Sequence, residues 1–348
     1  MSTIKNLHVV YGVVAFGVLS IFIDRYYYPN WLARNTCQIP VAERIAKWKN
    51  LERDLPREIF GQHIAIDTVL RAVYSHITNE APKKGLVLSF HGAVGTGKTF
   101  MSQLIAKHLY EGGFESPHVT SFVGPLHFLN DESKLGENQV RLKSNIETAA
   151  RRCGKEIFIF DEVDKMRPEI FDAIVPYIDY YNAIDGIDYR GLTFIFLSNT
   201  GASAIGERMH DLRTIGRKPR ETINIEHFRE ILADKAFKEH GGLFKSSMIS
   251  QRLVDHFIPF LPLEKEHILM CARRDIVKRR VHFIPPEKVA DQIKYIPTWK
   301  PIFAEDGCKR VLSIHCNDFW IPCFVTTSNN HSGNFEASNV LVGSKYGN

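Results

Sequence analysis

The run Gly92-Ala93-Val94-Gly95-Thr96-Gly97-Lys98-Thr99 decides how this chain is read. An apolar stretch, Leu86-Val87-Leu88-Ser89-Phe90-His91, precedes it, and from Phe100 to Tyr110 apolar residues recur at helical spacing. Strand, glycine-rich loop and helix form the setting in which G-x-x-x-x-G-K-[ST] acts as a phosphate cradle. Glycines let backbone N–H groups come close to phosphate oxygens, and the helix N-terminus behind them adds a favourable dipole. Gly92, Gly95, Thr96 and Gly97 are assigned to the cradle, Lys98 to the β- and γ-phosphates, and Thr99 to a magnesium ion through its hydroxyl. The competing reading is a flexible turn that matches by accident. At ~7% glycine usage, chance supplies this pattern in roughly one chain of this length in a hundred, before the flanking strand and helix are counted.

Two further strands are predicted to end in polar residues of matching chemistry. Glu156-Ile157-Phe158-Ile159-Phe160-Asp161-Glu162 runs four apolar residues into two carboxylates. A strand buried on both faces needs the apolar run, and ligands of open α/β sheets bind at the carboxyl ends of the strands. Asp161 is therefore assigned to Mg²⁺ through water and Glu162 to the attacking water, which it would orient and activate. Leu192-Thr193-Phe194-Ile195-Phe196-Leu197-Ser198-Asn199 is the next buried strand, with Asn199 placed to hydrogen-bond the water and the γ-phosphate. Three strand tips, each with its own catalytic element, are far more specific than any one of them. Upstream, Ile59, Phe60 and Gly61 form a turn about 30 residues ahead of the cradle, where many P-loop ATPases of the AAA+ class seat the adenine ring.

With 348 residues, 44% of them hydrophobic and 24% charged, the chain has room for one large domain and a small one. A net charge of +5 is mild, and the clusters Arg217-Lys218-Pro219-Arg220 and Lys278-Arg279-Arg280 carry no interleaved aromatics. No nucleic-acid partner is expected. The six cysteines show no C-x-x-C pair and no histidines at zinc spacing. Leu7–Ile23 is apolar apart from His8 and Ser20, and Tyr26-Tyr27-Tyr28 and Trp31 follow it. As a helix it would be about 26 Å long, just short of a hydrocarbon core of about 30 Å. An uncleaved signal-anchor or a membrane-embedded hairpin is expected, with a cleaved signal as the alternative, and the aromatics suit an interfacial belt. Any of these brings the chain to the secretory pathway, where disulfides form.

Helices are predicted over Val41–Leu55, Ile66–Ile77, Asn138–Cys153, Pro168–Tyr181 and Ile225–Lys238. Leu261-Pro262-Leu263-Glu264 is expected to be a hinge into a small helical lid, Glu264–Arg280 and Pro286–Tyr295. Lys309 is the residue assigned to fold from that lid over the nucleotide. Arg208, Arg213, Arg217 and Arg220 are all placed where an AAA+ ring draws the arginine that reaches a neighbour's γ-phosphate, and the sequence does not choose among them. After Val311 the chain turns polar and aperiodic, as a loosely ordered tail does. The expected organisation is a membrane segment (1–28), a large ATPase subdomain (41–258), a helical lid (259–312) and the tail (313–348).

Taken together, the P-loop, the run Ile157 to Met166, the strand end Phe196-Leu197-Ser198-Asn199 and the segment Phe257-Ile258-Pro259-Phe260-Leu261-Pro262-Leu263-Glu264 resemble a torsin. The resemblance extends from about Val41 to Val311, and Gly307-Cys308-Lys309 is among its most discriminating parts. It implies an AAA+ fold: a five-stranded parallel three-layer α/β/α domain with a helical lid. It also implies an ATPase of the endoplasmic reticulum lumen and nuclear envelope that binds ATP and Mg²⁺ and remodels protein or membrane-protein assemblies. The expected partner is the luminal domain of a type II membrane activator that supplies the missing arginine in trans, with self-association besides. Cys271 and Cys308 fall on a pair of family cysteines thought to form a redox-responsive disulfide. Two departures stand out: Thr99 occupies a position where many torsins carry Asn, and the family's short aromatic and acidic ending is absent. The alternative function is a nucleotide-gated scaffold with negligible turnover. No aromatic pore-loop pattern stands out between Thr120 and Asn138, so polypeptide threading is unsupported.

Overall fold

The computed structural model describes residues 39–128, 131–239, 241–279, 284–298 and 301–311. The expected membrane segment and the tail from 313 lie outside these residues. Among the described residues no helix is long and apolar enough to cross a membrane. The chain divides into two units: one holds the described residues up to Ala93 together with Gly97–Pro262, the other Val94–Thr96 together with the residues from Leu263.

In the first unit, β1 (Leu86–His91), β2 (Val119–Val123), β3 (Ile157–Asp161), β4 (Thr193–Ser198) and β5 (His256–Pro259) make one sheet in the order β2-β3-β4-β1-β5. All four pairings are parallel. Successive side chains of a strand point to opposite faces, so period two sorts these apolar runs into two different cores. Phe158, Phe160, Phe194 and Phe196 face one side with Val87 and Phe122. Ile157, Ile159, Ile195, Leu197, Leu88 and Phe90 face the other. The register sets Phe158 opposite Phe194 and Phe160 opposite Phe196, and each pair stacks with centroids 5.4 and 5.1 Å apart. Such cross-strand aromatic pairs add stability beyond the area they bury.

Helices cover both faces. Helices α1 (Val41–Glu58), α2 (His63–Thr78) and α3 (Lys98–Leu109) lay Leu51, Leu55, Val69, Met101 and Ile105 on the aliphatic face. Helix α4 (Leu135–Arg152) brings Leu142, Ile146 and Ala149 to the aromatic face. After β4 come α5 (Ala202–Thr214) and α6 (Arg229–Lys238).

Three expectations are corrected here. Helix α1 does not stop before Pro56 but continues to Glu58, closed by the Ile59 N–H donating to Leu55 O at 2.9 Å. The buried Leu51 and Leu55 hold this last turn against the sheet, and that packing outweighs the proline penalty. The single helix expected over Pro168–Tyr181 is two short ones, Pro168–Asp172 and Val175–Ile178, with Pro176 in the first turn of the second, where no N–H is needed. The first unit ends at Pro262, beyond the expected boundary at 258, which would cut through β5: Pro259 still sits opposite His91.

The second unit contains α7 (Lys265–Arg279), α8 (Pro286–Asp291) and an antiparallel pair, β6 (Tyr295–Ile296) with β7 (Phe303–Ala304), so it is not purely helical. Ile268, Ala272, Ile276, Val289, Ala290 and Phe303 are buried in it. Cys271 on α7 is disulfide-bonded to Cys308, with their Cα atoms 6.1 Å apart. The Cys308 N–H donates to Gly95 O at 3.0 Å, which ties the tip of the glycine-rich loop into this unit.

Candidate nucleotide-binding site

The parallel register brings the carboxyl ends of β1, β3 and β4 side by side, and the first unit's polar elements meet there. His91 stands opposite Ser198, and Asp161 closes β3 one residue beyond the Phe160–Phe196 pair. Gly92 turns the chain out of β1 so close to β5 that a Cβ on it would lie 2.5 Å from Phe260 O. Gly97 precedes α3 at φ +104°, a conformation that side chains rarely adopt. The third glycine of the loop, Gly95, has φ +76°, and a Cβ on it would lie 2.0 Å from Asp306 O within the second unit.

Lys98, buried on the first turn of α3, donates to Gly92 O at 2.6 Å, Ala93 O at 2.9 Å and Asn199 Oδ1 at 3.1 Å. Burial pushes its ammonium pKa down to about 8, against the opposing charges of Asp161 and Asp164. The Thr99 hydroxyl donates to Asp161 Oδ2 at 2.8 Å, and Asp161 Oδ1 accepts the Glu162 N–H at 2.9 Å. Glu162 sits in the left-handed region at φ 56°, and its carboxylate pairs with Lys165 at 3.0 Å. These residues fit a magnesium–triphosphate group: Gly92 and Gly97 permit the tight loop, Lys98 supplies a cation, and Thr99 Oγ1 and Asp161 Oδ2 are hard oxygens able to hold the metal.

Two residues escaped the sequence reading. Asp164 accepts the Asn199 backbone N–H at 3.0 Å, and its Oδ1 and Oδ2 lie 3.4 and 3.3 Å from the Asn199 amide nitrogen. Its signal was present as the third acid of Asp161-Glu162-Val163-Asp164, but only the fold turns that acid toward β4. His91, buried beneath the loop, meets Ser89 Oγ at 2.8 Å through Nε2, and Thr200 O and Oγ1 at 3.2 and 3.1 Å through Nδ1. A neutral ring donating from Nδ1 satisfies all of these. Burial lowers its pKa to about 4 and keeps it neutral.

The predicted residues thus fall into two groups. The first unit brings together Gly92, Gly97, Lys98, Thr99, Asp161, Glu162 and Asn199, with the Cγ2 of Ile59 at 3.8 Å from where a Gly97 Cβ would stand. The second unit brings together Gly95, Thr96, Cys271, Cys308 and Lys309, and Lys309 is exposed. Of the four arginines, Arg220 is withdrawn from the set open to a neighbouring subunit: it is buried and donates to Gly61 O at 2.7 Å within its own unit.

This sheet order, with a glycine-rich loop after β1 and acids after β3, defines a P-loop nucleotide-binding module of the AAA+ class. The fold is similar to that of solved Hsp104 chains. The S. cerevisiae Hsp104–ADP complex aligns with TM-score 0.55 at 17% identity over 81% of this chain. The closed state of Hsp104 with ATPγS and FITC-casein aligns with TM-score 0.54 at 16% identity, again over 81%. This chain spans 49% of each of those Hsp104 chains. The Torsin family model matches residues 31–160. A torsin-like protein of Caenorhabditis elegans is 39% identical over 271 residues, 76% of this chain and 75% of that protein. One of Drosophila melanogaster is 37% identical over 274 residues, 76% of this chain and 80% of that protein. The chain belongs to the torsin family.

Proposed function

We propose that this chain is a Mg²⁺-dependent ATPase that remodels protein or membrane-protein assemblies from the endoplasmic reticulum lumen or perinuclear space. The observation that carries the reading is the linked set Lys98–Asn199–Asp164 beside Thr99–Asp161, all at the carboxyl ends of neighbouring strands. Lys98 would exchange its carbonyl partners for phosphate oxygens, which return the charge neutralisation it lacks when buried. Thr99 and Asp161 would hold the metal, which when bound draws charge from the γ-phosphate. Asn199 is braced from behind by Asp164 and so keeps a fixed position for the attacking water. Glu162 is the base that orients that water.

The N-terminal apolar segment and the family support a membrane-associated, luminal setting. In this setting the luminal domain of a type II membrane protein supplies the arginine in trans, and the chain also self-associates. The Cys271–Cys308 pair, whose second member bonds Gly95, supports coupling of redox state to the tip of the phosphate loop. A second reading, a nucleotide-gated scaffold, is favoured by one observation: the Glu162 carboxylate is engaged by Lys165.

Phosphate release with magnesium, with and without an activator's luminal domain, separates the two. Turnover that is lost in both Lys98→Ala and Glu162→Gln supports the ATPase. ATP retention with no turnover under either condition supports the scaffold. No retention, with Lys98→Ala behaving like the native chain, removes both readings.

A further inference from the structure

The turn that leaves β4 begins at Asn199, and its successive peptide N–H groups each have an acceptor. The Asn199 N–H donates to Asp164, the Thr200 N–H to Ser198 Oγ at 3.1 Å and the Ala202 N–H to Asn199 O at 3.2 Å. The Gly201 N–H donates to Glu239 Oε2 at 2.6 Å. Glu239 is the residue that closes α6, and its other carboxylate oxygen lies 3.7 Å from Lys235 Nζ. Of these four acceptors, Glu239 is the one supplied from outside the ends of β3 and β4.

Residues just beyond Glu239 touch the other member of the Asp164–Asn199 pair. The Gly242 N–H donates to Val163 O at 2.9 Å, and a Cβ on Gly241 would lie 3.0 Å from the Asp164 Cα. The stretch that follows α6 therefore holds the backbone on both sides of that contact.

A bond from a backbone N–H to a carboxylate is about twice as strong as a neutral one, and the charge also faces the positive end of α5. A helix is usually capped by the side chain of the residue before it, which serves the helix and nothing else. Gly201 precedes α5 and has no side chain, and its acceptor comes from 38 positions away. The bond thus also fixes where the start of α5, and Asn199 two residues before Gly201, stands relative to α6. A hydrogen bond to an attacking water tolerates little displacement, whereas the phosphate contacts of Lys98 are made from a different stretch of chain.

We propose that Glu239 is a positioning residue for hydrolysis: from the end of α6 it holds the turn behind Asn199, so that its loss costs turnover and leaves ATP affinity in place. This rests on the nucleotide site proposed above and adds to it what keeps Asn199 aligned.

The test sets phosphate release by the full chain with magnesium, with and without an activator's luminal domain, beside calorimetric titration with Mg-ATP. In Glu239→Ala, kcat is expected to fall about tenfold, the size of loss that follows removal of a hydrogen bond to a charged group, while ATP affinity stays within about twofold of native. Glu239→Gln, whose amide oxygen still accepts the Gly201 N–H, should recover most of that loss. An acid that merely caps α5 would lower the melting temperature with kcat unchanged, or lower kcat and affinity in parallel, and either result overturns the proposal. If Glu239→Ala does not fold, Glu239→Asp, which keeps the charge near α5 but shortens its reach, is judged by the same split. A native chain that binds ATP no better than Lys98→Ala overturns the nucleotide site itself. Native binding without turnover under either condition removes the role of Glu239 in hydrolysis and leaves the nucleotide site standing.

Discussion

Asp164 accepts the backbone N–H of Asn199 at 3.0 Å, and it also faces that residue's side-chain amide. The carboxylate thereby settles which way the amide points: Nδ2 toward Asp164, and Oδ1 toward Lys98 at 3.1 Å. A strand-end asparagine with two rotatable side-chain torsions becomes an oriented group between an acid and a cation, and the two strand ends β3 and β4 are joined across the site.

Asp164→Ala leaves the Asn199 N–H without its acceptor and frees the amide to rotate. ATP turnover should drop at least tenfold while ATP affinity changes less than about threefold, because phosphate contacts through Lys98 remain. Steady-state rates set beside titration calorimetry check this. Equal losses in kcat and affinity would show that Asp164 serves only the fold.

Lys98 has its pKa lowered to about 8 by burial, so in the free protein its charge is partly lost as pH rises through 8. Bound phosphate favours the charged form, so ATP binding near pH 8.5 should take up a proton and affinity should decline above pH 8. Calorimetry in buffers of different ionisation enthalpy reads the uptake directly. Lys98→Met removes it, and a native chain without uptake at pH 8.5 contradicts the assignment.

His91 is held neutral by burial with a pKa of about 4, below its ordinary 6.5. Above pH 6.5 the ring is neutral both folded and unfolded, and stability is full. As pH falls from 6.5 toward 4 the unfolded chain binds the proton and the folded one does not, so stability is lost, on the order of 3 kcal/mol across the window. Denaturant melts at pH 7 and pH 5 should show a steeper decline for the native chain than for His91→Gln. Parallel declines would assign the pH dependence to the other histidines whose pKa desolvation lowers, His76, His108 and His256.

The Cys271–Cys308 bond closes a separation of 37 residues in the second unit. Its reduction should destabilise that unit by about 3–4 kcal/mol through the unfolded chain's regained freedom. Limited proteolysis after reduction should open sites within Leu263–Val311 first. Because Cys153 is also disulfide-bonded, the double variant Cys271→Ser/Cys308→Ser is the control. It should show the same opened sites without reductant, and an unchanged digestion pattern would refute the expected contribution.

The local sequence determined a great deal of this protein. The phosphate loop, the buried strands and the acids at their ends are written in contiguous residues, because backbone approach, strand burial and the two-residue alternation of faces are properties of short stretches. Even the split between an aromatic and an aliphatic core follows from alternation in Ile157-Phe158-Ile159-Phe160 and Phe194-Ile195-Phe196-Leu197. Only the tertiary structure decided the relationships between stretches far apart in the chain. Asp164 meets Asn199 because β3 and β4 are neighbours, Gln62 meets Leu261 across 199 positions, and Arg220 turns inward to Gly61 rather than outward. The same holds for Pro56, which ends a helix in a peptide but not in one whose last turn is pressed into a core. Local pattern carries no information about which distant polar group will be left to pair with which, since that choice is made by the packing that excludes water from both.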